Sequence, residues 1–270
     1  MARAGQYRPI IRESKMKLRL SRAAITVIAL FAFTSGQGFG ASEKEPAFVA
    51  AAVADPHRPK ADTDRDADRM PAIMLAFSGV KPGDRVAELI PAQGYSTRLL
   101  SAAVGPKGHV YSLNLATLTA RIRDQIKSVT DNPAYANVTV SDQDFSNLKL
   151  PEPVDLVWTA QNYHDFKIPG MFFVDTEAMD RTIFAALKPG GLYVIIDHAA
   201  APGSGTRDTA ALHRIDPAVV KAEVMAAGFR LLRETSALAN PNDPHTARVP
   251  GQGGIGDKSD KFFLVFQKPR

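Results

Sequence analysis

Arg85-Val-Ala-Glu-Leu-Ile-Pro-Ala-Gln-Gly-Tyr95 decides the fold. Residues 85–89 read as a short strand, Pro91 and Gly94 mark a tight turn, and a helical segment from Tyr95 to Val104 runs to a stop at Gly105. The same alternation extends outward on both sides. Further strands are expected over residues 109–113, 138–141, 154–159, 192–196, 229–233 and 262–267. Leu118, Ile122, Ile126 and Val129 form one helical stripe between them, and Met179, Ile183 and Leu187 form another, running into Lys188-Pro-Gly-Gly191. Asp216 then reads as an N-cap with Pro217 at the first helical position, followed by Val220, Val224 and Ala227 and closed by Gly228. Ahead of the first strand, Met70, Ile73, Met74 and Phe77 fall on one helix face, with Pro71 in the first turn.

Alternating strands and helices imply an α/β, Rossmann-like, seven-stranded, mostly parallel sheet with helices on both faces. The last two strands are too close for a crossover helix, so the seventh is expected to be antiparallel. The domain is expected over residues 68–270. Residues 41–67, rich in Ala, Pro, Asp and Lys without a sustained apolar period, read as an N-terminal arm or linker.

The 270 residues carry a net charge of +5, and its distribution is uneven. Residues 1–40 hold seven basic side chains and one acid, which leaves the remaining 230 residues at −1. A near-neutral body argues against nucleic acid as a partner. In the leader, basic residues precede the uncharged run 23–33 and a small, polar segment to Ala41, the pattern of a signal peptide cleaved near Gly40. A membrane span needs roughly 20 apolar residues, so stable membrane insertion after cleavage is not expected, and the mature protein is expected to be exported, to the periplasm. An uncleaved anchor would change that, and Met16 is an alternative start that keeps the same pattern. With no cysteine, disulfides, thiolate metal sites and cysteine nucleophiles are excluded.

Ligands of open α/β sheets lie beyond the carboxyl ends of the strands. The five leading strands here end at Glu88, at Asn114, at Asp142 to Asp144, at Gln161 to Asp165, and at Asp197 and His198. The six histidines show no short-range pairing, so no metal site is expected. G-x-G-x-x-G and G-x-S-x-G are both absent, which disfavours a dinucleotide enzyme and a hydrolase. Trp158, inside a strand, reads as core, and His213 and Arg214, ahead of the Asp216 cap, read as taking a structural ion-pair role.

The stretch 86–95, together with 110–114, Asp144, the Asn162-Tyr-His-Asp-Phe166 pentad, Leu187-Lys-Pro-Gly-Gly191 and Ala227-Gly-Phe229, resembles class I S-adenosylmethionine-dependent methyltransferases. More narrowly, it resembles a group of bacterial exported, predicted methyltransferases, over about residues 55–270. The resemblance implies S-adenosylmethionine as cofactor and a small-molecule methyl acceptor. Glu88, Gly94 and Tyr95 would surround its methionine part, Asn114 its ribose, and Asp144 and Phe145 its adenine. Asn162 to Asp165 would stand beside the sulfonium. His164 reads as the first candidate base with Asp165 orienting it, and His198 as the second; either also reads as a histidine tying loops together.

One departure stands out. The resembling families carry acid-x-Gly-x-Gly-x-Gly, and this chain has Glu88-Leu-Ile90-Pro-Ala92-Gln-Gly94. Ile90 is β-branched and Pro91 restricts it to extended backbone, both poorly suited to the positive φ that glycine permits. The alternative reading is therefore an exported, non-catalytic ligand-binding protein that keeps the sheet and has lost the cofactor.

Overall fold

The computed structural model describes residues 45–170, 172–250 and 254–270. The expected signal peptide over residues 1–40 lies outside them. Among the described residues no helix is long and apolar enough to cross a membrane.

Seven strands form one sheet: β1 (Arg85–Leu89), β2 (His109–Leu115), β3 (Val138–Gln143), β4 (Val154–Ala160), β5 (Leu187–His198), β6 (Arg230–Thr235) and β7 (Lys261–Gln267). Their order is β3-β2-β1-β4-β5-β7-β6. The first five pair in parallel, and β7 runs antiparallel to both β5 and β6, as the sequence led one to expect. Order reverses at β1, which lies between β2 and β4. This switch point opens a crevice at the carboxyl ends of β1 and β4.

Four helices precede β1: α1 (Ala47–Val53), α2 (Lys60–Thr63), α3 (Asp66–Arg69) and α4 (Pro71–Ser78). Helix α5 (Tyr95–Val104) links β1 to β2, and α6 (Ala120–Arg123) and α7 (Lys127–Thr130) lie between β2 and β3. Helix α8 (Thr176–Ala186) precedes β5, and α9 (Thr209–Leu212) and α10 (Pro217–Ala226) follow it. Asp216 caps α10 by accepting from the Ala218 N–H, as its place before Pro217 predicts.

Side chains alternate across the strands, so the sheet has two apolar layers. Ala87, Val157, Ile195 and Leu264 join Met179, Ile183, Val220 and Val224 on one face. Val86, Trp158, Val194 and Val265 join Leu99, Leu100 and Met74 on the other. Trp158 is therefore core.

Three expectations are corrected. Residues 47–69 are not a linker: α1 packs on α4 and α5 with Val49 and Ala52 fully buried in the second layer. The apolar period missed this because the segment is held largely by charge. Arg58 pairs with Asp66 at 2.6 Å, and Arg98 of α5 pairs with Asp62 at 3.0 Å. Second, α4 buries Met74 and Phe77 but leaves Met70 and Ile73 more than a third exposed, because Met70 is a left-handed residue before the helix, not part of its face. Third, the helix stops at Ala186, and β5 begins at Leu187 and not at Leu192, so Leu187 to Gly191 is its first part, with a register shift against β4 at Val154/Leu156.

Candidate active site

Two cavities sit above the carboxyl ends of the strands. The first, about 290 Å³, is lined by the loop from Glu88 to Ser96, by Ala160 to Asn162 at the end of β4, and by Arg65 and Arg69. The loop keeps a glycine-like backbone without the glycines. Ile90 has φ 53°, Ala92 φ 48° and Gly94 φ 84°, all left-handed. A left-handed non-glycine residue costs roughly 1–2 kcal/mol, so neighbouring contacts must enforce two such residues. The Ile90 side chain is buried in the apolar layer that holds Leu113, Leu115 and Phe145. From the end of β4, Asn162 Nδ2 donates to Ala160 O at 2.8 Å and to Leu89 O and Ile90 O at 3.3 and 3.4 Å. Pro91 does not hold Ile90 extended here, because burial and the Asn162 amide outweigh that preference.

The loop runs into the N-terminus of α5, where Gly94 precedes the first turn with no side-chain cap. Free first-turn N–H groups and the helix dipole make such an end a place for an anion. Tyr95 and Ser96 line the cavity there. The Glu88 carboxylate accepts from Thr97 Oγ1 at 2.6 Å and from Ser112 Oγ at 3.0 Å. Burial outweighs these bonds and pushes the acid up to about 7.

The roof comes from α3 and its approach. Asp257 accepts from Arg65 Nε at 2.6 Å and Arg69 Nε at 2.9 Å, and Arg69 Nη2 donates to Gln161 Oε1 at 2.6 Å. Tyr95 Oη donates to Asp66 at 2.7 Å, and the Arg69 guanidinium lies 4.5 Å from the centre of its ring. Sequence reasoning missed Arg65, Arg69 and Asp257. The i, i+4 spacing of the two arginines was visible, but they stood in the segment read as a linker.

Arg65 and Gln161 also line the second cavity, about 380 Å³, with His164, Asp165, His198, His213, Phe172, Val249 and Pro250. The pentad divides its labour. Asn162 holds the loop, Tyr163 and Phe166 are fully buried in the apolar layer, and His164 and Asp165 face the cavity. His164 Nδ1–H donates to Asp197 Oδ1 at 2.8 Å, while Asp197 Oδ2 accepts from the His164 backbone N–H at 2.8 Å. Its Nε2 lies 3.1 Å from Asp165 Oδ1. Burial opposes charge on this ring, but the Asp197 and Asp165 carboxylates outweigh it and push it up to about 10. His164 thus has both nitrogens engaged, and Asp197, not Asp165, orients it. The expectation that Asp165 orients His164 is corrected accordingly: Asp197 holds Nδ1, and Asp165 meets Nε2. His198 is pushed well below the usual histidine range by burial and by the charges of His164, Lys261, Arg214 and Arg69, so it is neutral. Its Nδ1 lies 2.6 Å from Ser259 Oγ.

The fold also brings His213 to this place. His213 Nδ1 is 3.1 Å from Asp165 Oδ1 and 3.3 Å from His164 Nε2. The three residues meet as a possible ligand set for a metal ion, which the absence of short-range histidine pairing had argued against. Spacing along the chain is blind to a partner 48 residues away.

Of the residues expected around the cofactor, Glu88, Tyr95 and Asn162 line the first cavity and Gly94 forms its turn. Asn114, one residue before the end of β2, is buried and outside that lining. Asp144 is exposed and accepts from Ser146 N–H at 2.9 Å. Phe145 is fully buried, edge-on to Phe166, so it supports the end of β3 instead of offering a ring face.

No protein-family profile matches the chain. Over 75 residues it is 35% identical to protein-L-isoaspartate O-methyltransferase of Ignicoccus hospitalis, a match covering 27% of this chain and 34% of that protein. The chain thus spans about a third of that relative's length. Among solved structures it resembles a SAM-dependent methyltransferase from Aquifex aeolicus, with TM-score 0.55, 19% identity and coverage of 77% and 95% of the two chains. It also resembles the glycopeptide N-methyltransferase MtfA complexed with S-adenosylmethionine, with TM-score 0.52, 14% identity and coverage of 76% and 87%. The 4+2 cyclase SpnF is equally similar, with TM-score 0.54, 16% identity and coverage of 75% and 81%, so the architecture alone does not fix a reaction. The fold is that of the class I S-adenosylmethionine-dependent methyltransferases.

Proposed function

We propose that the protein binds S-adenosylmethionine in the first cavity and transfers its methyl group to a small molecule held in the second. The observation that carries this reading is the loop Ile90–Pro91–Ala92–Gln93–Gly94, which keeps three left-handed residues where the resembling families place glycines. A loop free to decay would be expected to relax to extended backbone at Ile90 and Ala92. Bound there, the cofactor supplies a methyl group activated by a sulfonium.

The chain's own residues divide the remaining work. The uncapped start of α5, with Arg65 and Arg69 nearby, suits the cofactor's carboxylate. Gln161 and Arg65, shared by both cavities, stand where donor and acceptor would meet. His198, neutral and facing the second cavity, is positioned to accept a proton from an acceptor hydroxyl or amine, as a weak base whose protonated form burial and the neighbouring cations disfavour.

Calorimetry with S-adenosylmethionine and its demethylated product tests the reading. Saturable binding of both, with displacement of one by the other, is expected. No heat at high protein concentration would remove it in favour of a non-catalytic binding protein. Export by the leader belongs to the same proposal, and full-length protein in the cytosolic fraction would count against it.

A further inference from the structure

We propose that His164 Nε2, His213 Nδ1 and Asp165 Oδ1 form a binding site for a divalent transition-metal ion, open to the second cavity. The three atoms make a nearly equilateral triangle with sides of 3.1, 3.1 and 3.3 Å. Ligand atoms about 2.1 Å from one ion stand ~3.0 Å apart when octahedral neighbours and ~3.4 Å apart when tetrahedral. The observed sides fall in that interval. Two imidazoles and one carboxylate suit zinc, cobalt, nickel or ferrous iron better than magnesium or calcium.

Hydrogen bonding alone explains the triangle less well. Both ring nitrogens converge on the same Asp165 oxygen, so protonated rings set two N–H groups side by side across 3.3 Å. With the protons removed, all three lone pairs can meet at one cation. The surroundings also match a metal-ligating histidine. Asp197, with its side chain fully buried, accepts from His164 Nδ1–H, which directs Nε2 to the triangle. His213 is turned toward Asp165 by a left-handed backbone at φ 55°, at the end of α9.

One contact must yield. Arg248 Nη2 donates to His213 Nε2 at 3.0 Å, which places the proton of a neutral His213 on Nδ1. Loading the site moves that proton and turns Arg248, an exposed side chain, toward solvent. His164, Asp165 and His213 all line the second cavity, so the remaining coordination positions face it and can be completed by an oxygen or nitrogen donor of a small molecule. The site does not depend on cofactor binding.

The test is titration of Co²⁺ into untagged, chelator-dialysed protein, read by the visible d–d absorption of the bound ion, with Zn²⁺ in competition. One equivalent bound and displaced by Zn²⁺ is the expected result. His213→Ala is expected to weaken binding at least tenfold with an unchanged melting profile, since His213 is partly exposed at the end of a four-residue helix. Asp197→Asn, acting through His164, is expected to weaken it about 10- to 100-fold. Should that variant misfold, His213→Gln serves as the second ligand variant. Absence of stoichiometric Co²⁺ and Zn²⁺ binding, or one equivalent bound unchanged by His213→Ala, overturns the proposal.

Discussion

Asn162 Nδ2, at the end of β4, reaches the carbonyl oxygen of Ile90, at the end of β1, over 3.4 Å. The same amide meets Leu89 O and Ala160 O, so one donor group joins two strands on either side of the switch point. It thereby supports a backbone that Ile90 would not adopt alone. The first member of the pentad is thus a buttress of the loop, and its influence on a ligand passes through the shape of that loop.

Asn162→Asp keeps the shape of this side chain and replaces its donor with an acceptor facing three carbonyl oxygens. The expected cost is about 1–3 kcal/mol of stability. Binding of the demethylated cofactor product is expected to weaken at least tenfold. Urea unfolding and calorimetry on one preparation separate the two effects, and wild-type affinity would mean the loop holds without its buttress.

Ala92 and Gly94 make opposite predictions for the same loop. Ala92 is exposed with φ 48°, so Ala92→Gly relieves its backbone strain without losing a buried contact. A stabilisation of about 0.5–1 kcal/mol is expected, after allowing for the greater freedom of glycine in the unfolded chain. At Gly94, φ is 84° and an added Cβ would collide with Val129 Cγ2 and sit 3.2 Å from Arg98 Nη1. Gly94→Ala is therefore expected to destabilise by about 2 kcal/mol or more, from combined strain and overpacking. Thermal unfolding of the two single variants measures both signs.

These residues also show what could be read from the chain. Strand-length runs between turn signals placed all seven strands, because β1, β2, β4, β5 and β7 are largely buried apolar runs, β6 alternates exposed and half-buried residues, and Asp216, Gly105 and Gly228 punctuate the pattern. The clustering of polar groups at strand ends located Glu88, Asn162, His164, Asp165 and His198. Ile90 misled because local preference argued against a conformation that tertiary contacts impose. Arg65, Arg69 and Asp257 escaped because charge pairs across 188 and 192 residues leave no periodic trace. His213 was assigned a structural neighbourhood for the same reason.

The Glu88 contribution to stability should fall as pH rises from about 4.5 to about 7. Glu88, buried, keeps its proton up to about 7, whereas in the unfolded chain it loses it near 4.5. Between those values the folded state binds more protons, so deprotonation favours unfolding. The stabilising difference is present below 4.5 and is lost once pH passes the folded value. Its size is about 3 kcal/mol. Asp180, also raised to about 7 by burial, adds a loss of the same sign. Glu88→Gln, which stays neutral throughout, is expected to flatten the Glu88 share of the slope in urea unfolding between pH 5 and 8 while leaving that of Asp180. An identical slope in the variant would place the titration elsewhere.

Arg214 and Asp243 form a pair whose side chains are both fully buried, with Nη1 2.8 Å from Oδ2. The guanidinium also donates to Ala199 O and Ala247 O, and the carboxylate accepts from the His245 and Asp260 N–H groups. Arg214 thus ties the chain after β5 to the loop that carries Val249 into the second cavity. Removing one partner strands the other charge without water, so Asp243→Ala and Arg214→Met are each expected to cost about 3–5 kcal/mol. Removing both leaves no orphaned charge but still leaves two carbonyls and two N–H groups short of partners. The double variant Arg214→Met/Asp243→Ala is therefore expected to fall short of the sum of the singles by at least about 1 kcal/mol, without regaining wild-type stability. Strict additivity in a denaturant-unfolding cycle would show that the two residues are anchored by the backbone bonds and not by each other.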